Sequence, residues 1–382
     1  MHILALEPYY GGSHRAFLDG WAAGSAHRFT PLTLPPHHWK WRMRHAAITL
    51  AEWVRDRWQN GERWDALWCS DMLDLATFSG LCPELVGLPR VVYFHENQLT
   101  YPVRDERERD LHFAFTNLTT ALAADHLWIN SAYHRDTWLD ALEALVRKMP
   151  DHSPRGAVAT IRRKTSVMPP GIDLPDLPGA RARGERAPGP LRILWAARWE
   201  HDKDPDTFFE ALDHAADAGL EFRLSVLGES FRQVPPVFER ARQRFADRLD
   251  HWGFQERRDD YAAALAAADV AVSTAQHEFF GISMAEAMAA GCRPLLPDRL
   301  AYPELLADLP AETRQDFFYD GSTAGLSARL LDLGRALEAG SVWGEHDPTV
   351  CRRAMERFGW SSACARMDDA LQASVTQTPT SL

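Results

Sequence analysis

Short apolar runs, each followed by a turn and then a helix-forming stretch, recur along this chain in two series. The first series has runs at residues 3–6, 64–69, 90–94 and 127–131, and closes with a strand at 167–173 that ends in a turn. The second has runs at 191–196, 222–227, 249–253 and 269–273. Strands alternating with helices specify parallel sheets covered on both faces, so the chain is α/β. Between the series, residues 174–190 are rich in proline, glycine and arginine, the composition of a linker between compact units. The expected division is residues 1–175, a linker at 176–190, a second unit at 191–357, a terminal helix at 358–375 and a tail at 376–382. In open parallel sheets ligands bind beyond the carboxyl ends of the strands, so chemistry is sought in the loops there.

The most informative of these loops lies between Ser273 and Gly291. Residues 268–273 read as a buried strand. Residues 282–290 have helix-forming composition and stop at Gly291. Glu278 then sits in the turn and Glu286 two turns into the helix, roughly 10 Å apart along the axis at ~1.5 Å per residue. The free amides of Phe280, Gly281 and Ile282 at the helix start form an anion site. A carboxylate, an anion cradle and a second carboxylate in line suit a sugar–diphosphate–ribose chain. Two solvated glutamates on an ordinary strand–loop–helix have the same pattern.

Other strand ends add candidates. Residues 7–14 carry Gly11, Gly12 and His14 in a glycine loop ahead of a helix through Ala16, Phe17 and Trp21. The loop reads either as a backbone approach to a bound group or as a tight turn, and it is not the dinucleotide G-x-G-x-x-G. His95 follows the strand at 90–94 directly, with Asn97 and Tyr101 beyond it. It is either a group for chemistry or a histidine bonded within its loop. Arg198 and Lys203 follow the strand at 191–196, placed to neutralise a diphosphate. Asp204 can cap the next helix, with Pro205 at its first position. That cap explains the D-x-D at Asp202–Asp204 without a metal. Phe254 lies in the strand-end turn expected near a nucleoside.

Lys40, Arg42 and Arg44 lead into a helix whose expected apolar face is Ile48, Ala51, Val54 and Trp58. Beside Trp39, Trp41 and Trp53 they read as an RNA surface, a membrane-lying helix, or a packed helix with a solvated basic entrance. The net charge of −11 is unevenly placed: basic and acidic residues balance, 22 against 22, over residues 1–187, and stand at 20 against 31 over the rest. A polyanion is therefore expected to meet the first half. No apolar run approaches the ~18 residues of a membrane span. The first seven residues are too short and too soon charged for a signal peptide. Five scattered cysteines without C-x-x-C spacing argue for a reducing compartment, hence the cytoplasm, and against a disulfide framework or a zinc site.

Taken together, these stretches resemble a known family. Tyr9-Tyr-Gly-Gly-Ser-His14, Trp39-Lys-Trp-Arg42, Tyr93-Phe-His-Glu-Asn-Gln-Leu-Thr-Tyr-Pro-Val-Arg104, Met149-Pro-Asp-His152, Arg198-Trp-Glu-His-Asp-Lys-Asp-Pro205, Val226-Leu-Gly-Glu229 and His277-Glu-Phe-Phe-Gly281 run along most of the chain. They are similar to the tRNA-queuosine mannosyltransferases, which are glycosyltransferase-4-like. Glu-x7-Glu resembles the donor site of retaining enzymes of that group. The resemblance implies a GT-B fold: two Rossmann-like domains facing a central cleft, with a C-terminal helix crossing back to the first. It implies transfer of mannose from GDP-mannose to queuosine in a tRNA anticodon loop, with neither metal nor other cofactor.

Residue by residue, the resemblance implies that Arg198 and Lys203 bind the diphosphate, Glu278 the mannose hydroxyls and Glu286 the ribose diol. His95 lines the reacting centre, and Gly11 and Gly12 close near the donor phosphate and the acceptor. His95, Glu278, Arg198 and Lys203 are the expected catalytic set. Gly11, Gly12, Phe254, Phe280, Gly281, Ile282 and Glu286 complete the donor site. His14, Lys40, Arg42, Arg44, Asn97, Tyr101 and Arg104 are expected on the acceptor side with His95. No stable membrane insertion is expected, and oligomeric state is left open. Rival readings are a lipid or small-molecule acceptor, a sugar-nucleotide epimerase or hydrolase, and a non-catalytic RNA-binding protein. An NAD-dependent oxidoreductase is disfavoured by the missing G-x-G-x-x-G.

Overall fold

The computed structural model describes residues 1–103, 109–174, 189–230 and 234–377. The linker expected at 176–190 and the candidate Arg104 fall largely or wholly outside these residues. Two compact units divide the chain: Met1–Gly171 with Trp360–Leu382, and Ile172–Gly359.

The first unit holds six parallel strands: β1 (His2–Glu7), β2 (Arg28–Thr33), β3 (Ala66–Ser70), β4 (Arg90–Phe94), β5 (His126–Ile129) and β6 (Thr165–Val167), in the order β2-β1-β3-β4-β5-β6. Alternate residues of a strand face opposite sides. Leu4 and Leu6 accordingly join a core with Leu50, Val54 and Trp138, while Ile3 and Ala5 join Phe17, Trp21 and Trp68 on the other face. The second core is closed by the last helix, Trp360–Gln377, through Ala363, Cys364, Met367 and Leu371. Asp368 of that helix accepts from Trp21 Nε1 (2.8 Å), Ser25 Oγ (2.7 Å) and the Ala26 amide (2.8 Å).

The second unit holds β7 (Leu191–Ala196), β8 (Phe222–Leu227), β9 (Leu249–Gly253), β10 (Val270–Val272), β11 (Arg293–Pro297) and β12 (Phe318–Tyr319), in the order β12-β11-β10-β7-β8-β9, again all parallel. Both sheets are the expected α/β architecture. Three strands are additions to the sequence reading. β2 and β11 carry prolines, which weaken a strand signal, and β12 is two residues long.

Two helices near the first sheet matter later: α1 (Gly12–Gly24) and α2 (Trp39–Gln59). The expected face of α2 needs correction. Lys40, Arg42 and Arg44 lie within the helix, not ahead of it. Ile48 is 52% exposed, and the buried face is Met43, Ala46, Ala47, Leu50, Ala51 and Val54. Small residues at 46, 47 and 51 let the helix approach the sheet, which turns Ile48 outward.

Candidate functional site

In the second unit, the loops after β7 and β10 are stitched together. Gln276 N–H donates to Asp202 O (2.8 Å) and Thr274 Oγ1 donates to Lys203 O (2.8 Å). Asp204 caps the helix Pro205–Asp217 by accepting from Thr207 N–H (3.2 Å), as its sequence context requires. This stitching buries Lys203. Its ammonium donates to His277 O (2.8 Å) and lies 3.3 Å from both Glu278 Oε2 and Asp202 Oδ2. Burial and the nearby Lys203 charge hold the His277 imidazole down at about 4, so it is neutral. Arg198 is half-exposed and lies 3.1 Å from Glu200.

Gly281 caps the helix Ile282–Ala289 in the left-handed region, φ 94°, where a side chain is strained. A Cβ there would also come within 3.0 Å of the Tyr302 ring. Phe280 is buried beside it. Glu286 lies deeper and is already engaged: Arg258 Nη2 is 2.5 Å from Oε1, and Tyr261 OH donates to Oε2 (2.9 Å). Burial raises the Glu286 carboxyl, opposed by the Arg258 cation. Arg258 and Tyr261 were not singled out in the sequence, because their partner lies about 25 residues away and no local pattern links them. Phe254, beyond β9, is 64% exposed.

In the first unit, β1 and β4 end beside one another's loops. Gly11 precedes α1 in extended conformation, and a Cβ on it would lie 2.4 Å from Pro36. Its smallness therefore serves the protein's own packing, whereas Gly12 has open space. His95 has its amide held by Asp71 Oδ1 (2.8 Å) and its carbonyl held by Asn130 Nδ2 (2.9 Å). Asn97, expected to touch an acceptor, is fully buried. Its Oδ1 accepts from the Leu99 and Thr100 amides and its Nδ2 bonds Thr100 and His134, so its role is to shape the loop. Tyr101 is half-buried on that loop.

Glu7, which the sequence reading did not single out, is fully buried at the end of β1 and meets His14 at 3.2 Å. The donor atoms of Glu7, His14 and His95 lie within 4.8 Å of one another. Glu7 and His14 already satisfy each other, however, and the two imidazoles stack. The trio is thus one hydrogen-bonded pair, Glu7 with His14, and one ring contact, His14 with His95.

On α2, Arg42 is tied to Pro35 O (2.9 Å) and His45 Nε2 (2.8 Å). Lys40 and Arg44 are exposed, with no ion pair to a carboxylate among the described residues. Trp41 is 61% exposed and stacks on His45 at 5.0 Å. The structure thus gathers Arg198, Lys203, Glu278, Phe280, Gly281 and Ile282 at one set of strand ends, and Gly11, Gly12, His14 and His95 at another.

Two units, each an open all-parallel α/β sheet, are the architecture of the GT-B fold. The same fold is seen in sucrose-phosphate synthase of Thermosynechococcus elongatus, with a TM-score of 0.68 at 15% identity over 98% of this chain and 99% of that one. Anabaena HepE, solved with UDP and glucose, gives 0.65 at 15% identity over 98% and 100%.

Residues 2–172 match the family described as tRNA-queuosine alpha-mannosyltransferase N-terminal, and residues 180–314 match glycosyl transferases group 1. The tRNA-queuosine alpha-mannosyltransferase of Drosophila melanogaster is 34% identical over 312 residues, 80% of this chain and 81% of that protein. A GDP-mannose-dependent alpha-(1-6)-phosphatidylinositol dimannoside mannosyltransferase of Mycobacterium tuberculosis is 28% identical over 56% of this chain and 54% of its own length. The chain belongs to the tRNA-queuosine alpha-mannosyltransferase family.

Proposed function

We propose that this protein transfers mannose from GDP-mannose to queuosine in the anticodon loop of tRNA, with retention at the sugar carbon, in the cytoplasm. The observation that carries the reading is the buried Lys203 held against Glu278 beside the Gly281 helix start. Family membership supports the acceptor, and the GDP-mannose dependence of the mycobacterial relative supports the donor. None of the described helices is long and apolar enough to cross a membrane.

In this reading Arg198, Lys203 and the amides at Gly281 and Ile282 hold the diphosphate, and Glu278 holds mannose hydroxyls. Glu286 acts on the ribose with Arg258 as its neighbour. The bond from the sugar carbon to the diphosphate breaks as the bond to the acceptor oxygen forms on the same face. A leaving phosphate oxygen takes the hydroxyl proton. Developing negative charge there is met by fixed cations and amides, so no metal is proposed. His95 lines the reacting centre.

The acceptor side is proposed to include His14, Lys40, Arg44 and Tyr101. Exposed Trp41 between two cations is a stacking platform for a nucleobase. Trp41→Ala is expected to weaken tRNA binding about tenfold, since stacking is worth ~1–3 kcal/mol per base. It should leave the KM for GDP-mannose unchanged. Lys40→Ala should reduce the slope of log affinity against log salt by about 0.7–0.9. Filter binding across a salt series checks both.

The deciding experiment incubates the protein with GDP-mannose and tRNA, with or without queuosine, and weighs the digested nucleosides by mass spectrometry. A hexose gained only by queuosine is the expected result. GDP-mannose binding without transfer keeps the donor and removes the acceptor. Neither binding nor transfer removes the donor as well.

A further inference from the structure

A fully buried carboxylate is costly unless it is hydrogen-bonded or paired. Glu7 is both. Its Oε1 accepts from Ser70 Oγ (2.9 Å) and the Tyr9 amide (2.8 Å), which leaves Oε2 for His14 Nδ1 at 3.2 Å. The His14 ring, itself buried, lies over the His95 ring with centroids 3.9 Å apart and planes at 31°. Phe17 and Tyr93 wall His95 edge-on at 5.2 and 4.6 Å. Two imidazolium rings at this spacing, out of water, repel strongly. Only one of the pair can carry the second, charging proton, and the carboxylate contact selects His14.

We propose that His14 is a positioning residue for His95: Glu7 holds the second proton on His14, and this cation against His95 adds to burial in keeping the His95 imidazole neutral. The inference rests on the reading that His95 lines the reacting centre. A neutral imidazole can accept a hydroxyl's hydrogen bond, whereas an imidazolium can only donate.

The charges around the pair support the assignment. Burial opposes a charge on His14, but Glu7 outweighs it, with Asp71 and Glu96 adding to the effect, and His14 is raised to about 9. Burial first, then the neighbouring His14 and His134, push His95 well below its ordinary range. Asp71, whose Oδ1 holds the His95 amide, is raised by burial, against the attraction of His14. Its Oδ2 and the His95 Nε2 are buried without a hydrogen-bond partner among the described residues. Tyr93 and Cys69, both raised well above their ordinary values by burial, bring no charge of their own at neutral pH.

The test is nuclear magnetic resonance of histidine-labelled full-length protein, with His14→Gln and His95→Asn used for assignment. His14 is expected to stay cationic through pH 8 and His95 to stay neutral well below the ordinary midpoint of about 6.5. In Glu7→Gln, His14 gives up its charge by neutral pH, and His95, opposed then chiefly by burial, gains a proton at higher pH than in the wild type. The acidic limb of kcat in Glu7→Gln should then lie at higher pH than in the wild type, with the KM for GDP-mannose little changed. His14→Gln, which keeps a hydrogen-bonding side chain but no cation, should show the same shift if Glu7→Gln does not fold.

A neutral His14 at pH 7 overturns the proposal, as does a Glu7→Gln pH profile that overlays the wild type. Stoichiometric zinc that shifts both histidine signals overturns it in favour of a metal site. If the resonances behave as expected while the wild type transfers no sugar, the functional reading fails and the charge assignment stands.

Discussion

Replacing Lys203 by alanine is expected to lower kcat/KM by about 10²–10³-fold, the effect of removing one preorganised donor worth ~2.7–4 kcal/mol from a developing anion. The side chain is only 8% exposed and its ammonium touches Glu278, Asp202 and a backbone carbonyl at once. In water such a charge gains little from its neighbours. Here the loop stitching excludes solvent on most sides, so the cation is fixed before the donor arrives. Deleting it leaves two carboxylates facing each other, which repel an incoming diphosphate. Arg198→Ala should cost less, because that guanidinium is half-exposed and screened. Steady-state kinetics with GDP-mannose separates the two. Near-normal turnover by Lys203→Ala would remove the second unit's strand ends as the donor site.

Gly228→Ala should be the most damaging single substitution to the fold of that unit. The residue follows β8 at φ 147°, and a Cβ would lie 1.8 Å from the carbonyl oxygen of Ala197 and 2.7 Å from its carbon. Backbone cannot swing aside as a side chain can. Ala197 is also held by Leu227 (3.1 Å) and is followed by Arg198, so any shift displaces the loop proposed to hold the donor. A loss of about 3 kcal/mol is expected, lowering Tm by roughly 6–12 °C, together with a raised KM for GDP-mannose. Gly80→Ala is the control: no neighbour lies within 4 Å of its Cβ and it sits in the helix Leu75–Leu81. Its Tm should stay level or rise. A scanning calorimeter reads both. Equal behaviour of the two variants would contradict the close approach at Gly228.

The parts of this architecture visible in the sequence were those written locally. Val91, Val92, Tyr93 and Phe94 are apolar without a break because β4 is covered on both faces. Asp204 and Pro205 announce a helix start, and Gly281 the turn before another. What stayed hidden depends on partners far along the chain. Glu7 acquires its meaning from Ser70, 63 residues away. Glu286 is tied to Arg258, 28 residues away. Asn97 looked like a ligand contact because it stands in a polar loop, but its amide is consumed by that loop and by His134. Ile48 misled through periodicity alone: α2 buries its alanines, and the larger side chain faces out.

The helix Trp360–Gln377 has a consequence for how the protein comes into being. A ribosome delivers the first six strands early, yet the residues that seal the Trp21–Trp68–Trp128 face arrive only after Gly359. Until then Trp21, Ser25 and Ala26 lack the carboxylate of Asp368, and a wide aromatic surface faces water. The contiguous second unit can complete itself first, so the order of maturation reverses the order of synthesis. A chain released before Met367 and Leu371 would expose that sticky face, and removal by chaperones or proteases is its expected fate. The helix Trp360–Gln377 therefore makes closure of the first sheet depend on residues that follow the second unit in the chain.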